Sequence, residues 1–322
     1  MTFFDAKFSR RRFLKGAAAA AGSALVLPKA FSANPLVRPF TPSSSAGEEL
    51  DYVVASKGTP AQLLQAAMAP LGGMGRFVKP GQRVVIKANF AWARTPEQAC
   101  TNNPALLDAL IRMVYQAGAK KVAVWDHTCD NYQFCLIRSG LKKTAQAAGA
   151  DIFSGHGQNV YQEMALPKAK KLKKALIIKD ALEADVLINF PLPKQHFATE
   201  VTLGLKNMMG LTWDMEGLHK IDLHQCIADI STLRKPDLVV VDAIRILTTN
   251  GPKGPGKTED PVEVVAGTDI VAVDGYAVSL FKNPRTGKPY LPGEIAFIKN
   301  AHDLGLGEID PAKVKMQKVL AA

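Results

Sequence analysis

From residue 51 onward, short apolar runs rich in β-branched residues alternate with longer stretches of helical periodicity. Strands are expected at Tyr52–Ala55, Arg83–Ala88, Lys121–Asp126, Val186–Phe190, Leu238–Asp242 and Val262–Ala266. Helices are expected at Pro60–Ala69, Pro104–Ala117, Gln133–Ala148, Glu200–Met209, Leu223–Leu233 and Ile270–Phe281. Pro104 falls where a first helical turn tolerates proline, and Gly118 where a helix would stop. The runs are apolar throughout rather than alternating, so both faces of the sheet should be covered. The pattern predicts an α/β fold: a mainly parallel sheet flanked by helices, a Rossmann-like three-layer architecture. No linker-like break follows residue 50, so residues 51–322 read as a single α/β domain.

The first 50 residues have a different texture. Ser9-Arg10-Arg11-Arg12-Phe13-Leu14-Lys15 resembles the twin-arginine export motif, and an apolar Ala/Gly-rich run from Gly16 to Leu27 follows it. That run is too short to span a bilayer and carries the basic front end of a signal peptide. Small residues at Ala30, Ser32 and Ala33 allow cleavage, so residues 1–33 read as a leader. Residues 34–50, rich in Pro and Ser, read as a linker. The resemblance implies engagement of the twin-arginine export machinery, passage in the folded state, a periplasmic location and no stable transmembrane segment after cleavage.

The leader also changes the meaning of the net charge of +11. Residues 1–33 hold six basic groups and one acid, which is +5, and the other 289 residues hold 34 basic and 28 acidic groups, which is +6. So modest an excess makes no case for nucleic acid.

In parallel sheets ligands sit outside the carboxyl ends of the strands, so the residues after each run carry the candidate chemistry. Lys87 and Asn89 close the second run, and Lys194 and His196 follow the fourth. Thr202 and Lys206 would share one face of the helix expected at 200–209, with Thr199 as its N-cap and Asn207 beside them. Together these side chains suit an anionic small molecule. Asp242, Asp269 and Asp274 end or follow apolar runs; they suit metal binding, acid–base work or helix capping, with Asp269 placed to cap.

Four cysteines are present: Cys100, Cys129, Cys135 and Cys226. An exported setting permits disulfides, with Cys129 and Cys135 the near pair. The alternative is convergence of all four on an iron–sulfur cluster or another soft metal. His196, His219 and His224, with Asp214, Glu216 and Asp222 nearby, could serve zinc or iron, or could be structural; no His-Glu-x-x-His spacing occurs. Gly251-Pro-Lys-Gly-Pro-Gly256-Lys257-Thr258 satisfies the phosphate-loop pattern, yet a strand-like run follows it, and Pro252 and Pro255 lack the amide hydrogens a phosphate cradle needs. It reads as a flexible flap, and no nucleotide is expected. The absence of a Gly-x-Ser-x-Gly elbow weighs against a serine hydrolase.

Ile86-Lys87-Ala88-Asn89, the Pro193-Lys-x-His196…Thr202-x-x-x-Lys206-Asn207-x-x-Gly210 segment, Val241-Asp242-Ala243, Gly267-Thr-Asp-Ile-Val-Ala-Val-Asp274 and His302-Asp-Leu-Gly-Leu-Gly307 stand in the same order in the family called domain of unknown function 362. The chain resembles its twin-arginine-exported branch over roughly residues 51–310, without the ferredoxin module of other members. The family implies no settled activity. Two functions therefore stand: a metal or iron–sulfur protein working in electron transfer with a periplasmic redox partner, or a non-redox binding protein or enzyme for an anionic small molecule.

Overall fold

The computed structural model describes residues 49–155 and 157–321. The leader and almost all of the linker lie outside these residues. The strands are β1 (Tyr52–Ser56), β2 (Arg83–Lys87), β3 (Lys121–Asp126), β4 (Asp151–Ser154), β5 (Tyr161–Ala165), β6 (Lys174–Ile178), β7 (Val186–Asn189), β8 (Lys194–His196), β9 (Glu200–Thr202), β10 (Leu238–Ala243), β11 (Ile246–Leu247), β12 (Thr258–Glu259), β13 (Glu263–Gly267) and β14 (Met316–Leu320). The helices are α1 (Pro60–Met68), α2 (Met74–Phe77), α3 (Pro104–Gln116), α4 (Tyr132–Arg138), α5 (Leu141–Ala147), α6 (Lys179–Glu183), α7 (Gly204–Met209), α8 (Met215–Ile221), α9 (Leu223–Ser231), α10 (Ile270–Val278) and α11 (Ala296–Asp303). No helix among the described residues is long and apolar enough to cross a membrane.

Eight strands form one sheet in the order β14-β1-β13-β10-β7-β2-β3-β4, and β13 alone runs antiparallel to its neighbours. Successive residues of one strand serve opposite cores. Val84 and Ile86 pack with Leu106, Leu110 and Leu141 under α3 and α5, while Val85 packs on the other face with Ile227, Val271 and Phe297 of α9, α10 and α11. This double burial is why the strands read as unbroken apolar runs. The expected three-layer α/β architecture is the observed one.

The winding reverses between β2 and β7. From β2 the chain steps outward to β3 and β4 through α3, α4 and α5 on one face; from β7 it steps the other way to β10 through α7, α8 and α9 on the opposite face. Such a reversal opens a crevice at the carboxyl ends of the two central strands.

Two predicted helices are corrected. Gln133–Ala148 is two helices, because Gly140 takes φ +73°, a left-handed conformation that ends α4 and redirects the chain into α5. Glu200–Met209 is a strand followed by a helix. Glu200, Val201 and Thr202 pair antiparallel with His196, Gln195 and Lys194, and α7 begins only at Gly204. Thr202 and Lys206 therefore do not share a helix face, and Thr199 is no cap: its hydroxyl donates to the Val201 carbonyl at 3.0 Å. Cross-strand pairing outweighs the weak helical preference of a segment carrying Val201 and Thr202.

Candidate functional site

The crevice holds a cavity of about 470 Å³. Its floor comes from β2 and β3. Lys87, at the end of β2, is fully buried, and its ammonium donates to Asp126 Oδ1 at 2.6 Å, to the Ala88 carbonyl at 2.8 Å and to Asn207 Oδ1 at 3.1 Å. Three donors meet three acceptors. Burial lowers the Lys87 pKa and the Asp126 carboxylate pulls it back. Asp126 also accepts the amide hydrogens of His127 at 2.8 Å and Phe90 at 2.6 Å.

Asn207 ties this floor to β7. Its amide nitrogen donates to Asn189 Oδ1 at 2.8 Å and to the Lys87 carbonyl at 3.1 Å, while its oxygen accepts from Lys87 and from Asn89 Nδ2 at 3.0 Å. Gly210, three residues on, is glycine because a Cβ there would lie 3.0 Å from Lys87 Cε. The Lys-Asn-x-x-Gly motif thus encodes the keystone and the clearance for the lysine behind it.

The other wall is built by the β8–β9 hairpin. Lys194 and Thr202 are cross-strand partners, and His196 lies two residues on from Lys194, so all three project to one side. Lys194 Nζ donates to Asn89 Oδ1 at 2.7 Å and to the Cys100 carbonyl at 2.9 Å, which leaves one of its three donors without a partner among the described residues. The Thr202 hydroxyl is buried and has none. Lys206, half-buried, has only the Met209 sulfur at 3.8 Å. Desolvation pulls both ammoniums down from their ordinary value to about 8.

His196 Nδ1 accepts the Ala198 amide hydrogen at 3.1 Å, so its Nε2 carries the proton. Burial, with Lys206 and Lys194 nearby, pushes its pKa down to about 3 and keeps it neutral. His127 has the opposite polarity. Its Nδ1–H donates to the Thr212 carbonyl at 2.9 Å, leaving Nε2 an acceptor in the neutral ring. The cavity thus offers two under-used ammonium groups, one hydroxyl, and one imidazole of each hydrogen-bonding sense.

Lys87, Asn89, Lys194, His196, Thr202, Lys206, Asn207 and, at the rim, His219 all line this cavity. Asp242 and Asp274 do not; both stand behind its walls. Asp274 accepts the Gly204 and Leu205 amide hydrogens at 2.7 and 2.8 Å, at the start of α7, and burial pushes its pKa up to about 7. Asp242 accepts the Asn103 amide hydrogen at 2.6 Å and Asn102 Nδ2 at 3.3 Å, and burial raises it to about 6. Asn102 in turn accepts from the Asn89 amide at 2.6 Å, so Asp242 acts on the site only through that relay. Asp269 caps α10 through the Val271 and Ala272 amides. His127 follows the third run, at the edge where the chemistry is expected, but Asp126 was missed as a site residue; the signal was a carboxylate ending the strand beside the one that Lys87 ends.

The four cysteines do not converge. Cys226 lies in the core layer of α9, Cys135 in the opposite layer under α4, and Cys100 in a small cluster with Ala99 and Leu247. Only Cys129 lines the cavity, and all four are free thiols. Burial raises every one of their pKa values, Cys135 to about 12. Separated thiols on both sides of a sheet do not fit a four-cysteine cluster. The histidine–acid group divides: His196, His219 and Glu216 line the cavity, and the other three do not. Asp214 and Asp222 cap α8 and α9, and His224 stacks on Phe297 outside the cavity. Among the described residues no three His, Cys, Asp or Glu side chains are grouped to hold a metal ion.

The glycine-rich segment 251–256 is a loop between β11 and β12, with Thr258 opening a strand where a phosphate loop would open a helix. Pro252 forms part of the cavity wall, and the Lys253 ammonium sits 5.8 Å from the Trp92 ring centre.

A family model described as "Domain of unknown function (DUF362)" matches residues 84–279. A thylakoid-associated protein of Synechocystis is 29% identical over 222 residues, covering 66% of this chain and 66% of that relative, so the chain spans just under two thirds of the relative's length. Among solved structures, the lactate racemase apoprotein from Thermoanaerobacterium thermosaccharolyticum aligns with a TM-score of 0.38 and 13% identity over 68% of this chain and 56% of that one.

Proposed function

The chain belongs to the family described as domain of unknown function 362, and from the geometry of its central cavity we propose that it binds a small oxyanion there, as a non-redox binding protein or enzyme. One observation carries this reading. Lys194 and Lys206 bring ammonium donors without acceptors into a cavity that also receives the unpartnered Thr202 hydroxyl. Unmet donors in a partly desolvated space favour an anion, because each bond gained replaces a desolvation cost already incurred by the fold. The neutral His196 adds an Nε2–H donor.

Calorimetric titration with methyl phosphate, sulfate and acetate tests the reading. At least one should bind saturably, and Lys206→Ala should weaken it by roughly tenfold or more, the loss expected for a charge-assisted hydrogen bond. No saturable binding, or binding indifferent to Lys206→Ala, overturns it.

The leader supports a second element of the proposal: export of the folded chain to the periplasm by the twin-arginine route. Fractionation of cells expressing the full chain should find it in the periplasm, and Arg10→Lys with Arg11→Lys should retain it in the cytoplasm. An unchanged distribution would count against the export reading.

A further inference from the structure

We propose that the anion bound in the central cavity carries an uncharged planar ring, that this ring stacks on Phe197, and that the ligand continues into a second cavity that Phe197 also lines. The inference rests on the anion reading above and names the class of compound that site would take.

Phe197 sits at the tip of the β8–β9 hairpin and is 79% exposed. A single exposed phenylalanine is ordinary on a protein surface. This one is set apart by what holds it and by the two cavities it lines. One face rests on the His196 imidazole, with ring centres 4.9 Å apart and planes inclined by 17°. His196 is buried, neutral and anchored by the Ala198 amide, so the platform beneath Phe197 is fixed. The remaining face is open.

His196 and Phe197 line both the cavity of Lys194 and Lys206 and a second cavity of about 560 Å³. The two spaces differ in charge. The second balances Lys257 and Lys282 against Glu200 and Glu259 and adds the hydroxyls of Thr248 and Tyr290. A wall of balanced charge and neutral hydroxyls selects polar but uncharged groups, whereas in the first cavity Asp126 is paired with Lys87 and Glu216 with Lys220, so that Lys194 and Lys206 remain to select negative charge. An aromatic surface shared by both is suited to a planar ring, which covers exposed apolar area while leaving edge substituents free to hydrogen-bond.

The test compares methyl phosphate with phenyl phosphate, two monoesters of like charge that differ by the ring, on the full chain and on Phe197→Ala and Phe197→Tyr. The readout is the ratio of the two affinities within each protein. Wild type should prefer phenyl phosphate by roughly five- to tenfold, Phe197→Ala should reduce the preference to less than about twofold, and Phe197→Tyr should restore it. Equal affinities in wild type, or a preference that survives Phe197→Ala, overturns the ring-binding inference while leaving the anion reading intact. Failure of both esters to bind wild type removes the ring-binding inference, and the anion reading falls with it when sulfate and acetate also fail to bind. Because Phe197 is exposed, far-ultraviolet circular dichroism and urea unfolding of the variants should match wild type, so that a lost preference reports the platform itself.

Discussion

Lys87 and Lys206 line the same cavity from β2 and α7 and differ in how far their ammonium groups are satisfied. Lys87 is sealed at the end of a central strand with an acceptor for each of its three hydrogens, one of them the buried carboxylate of Asp126. Lys206 leans in from α7 with a thioether as its sole partner among the described residues. A saturated cation is part of the scaffold; an unsaturated one, held where water is scarce, is available to a ligand. The same division separates Asn207, whose amide is used on both sides, from Thr202, whose hydroxyl is not used at all.

The sharpest way to break that contrast is to remove each lysine and measure folding rather than binding. Lys87→Met leaves the Asp126 carboxylate buried without its counter-ion and opens the Asn207 junction. Unfolding in urea should show a loss of about 3–5 kcal/mol, the usual cost of stranding one half of a buried pair. Lys206→Met removes a poorly solvated charge with no partner to strand, so its stability should stay within about 1 kcal/mol of wild type or rise. If the two variants lost stability equally, the distinction between scaffold and ligand group would be wrong.

The next effect is on binding and is set by pH. The ammonium forms of Lys194 and Lys206 are the ones that hold an anion, and desolvation lowers both pKa values to about 8 from 10.5. Affinity for an anion of fixed charge such as sulfate should therefore be retained below pH 8 and fall above it. The slope should approach roughly tenfold per pH unit for each lysine that deprotonates. His196, neutral down to about pH 3, contributes no titration over this range. In Lys206→Met the overall affinity should be lower and the slope shallower, because one of the two titrating groups is gone. An affinity flat from pH 7 to 10 would mean that no ammonium titrating near pH 8 holds the anion.

The place of these side chains at one edge was legible in the sequence, but their division into paired and unpaired groups was not, for reasons that differ by residue. The four central strands were readable because burial on both faces demands apolar runs, and Lys87, Asn89, Lys194 and His196 were readable because they follow those runs at the carboxyl edge. The cysteines were not, because sequence spacing does not say to which face of a sheet a side chain is committed; Cys135 and Cys226 ended in opposite layers. Asp242 and Asp274 were misplaced for a related reason. A carboxylate at a strand end or in a helix can face a ligand or the amides of a neighbouring helix, and only the tertiary packing of α3 and α7 decides. The β8–β9 hairpin was hidden by its brevity. Three-residue strands leave no periodicity to read, and its left-handed Glu200, with φ +59°, is a turn device rarely given to glutamate.

Thr202 offers the smallest and most discriminating test. Its hydroxyl is buried at the end of β9, opposite Lys194, with no partner among the described residues. Valine has nearly the same shape and a comparable preference for strands, so Thr202→Val removes the polar atom and little else. If that hydroxyl only completes a wall, the change relieves an unmet desolvation cost, and stability should rise by about 0.5–1 kcal/mol with anion affinity unaltered. If it is held in reserve for the ligand, the same gain in stability should come with a roughly tenfold loss of affinity, the lower end of the worth of one hydrogen bond to a charged acceptor. A protein that becomes more stable and binds less well would place Thr202 with Lys206 among the groups the fold leaves unpaired for a ligand. Stability gained without any loss of affinity would return it to the scaffold with Lys87.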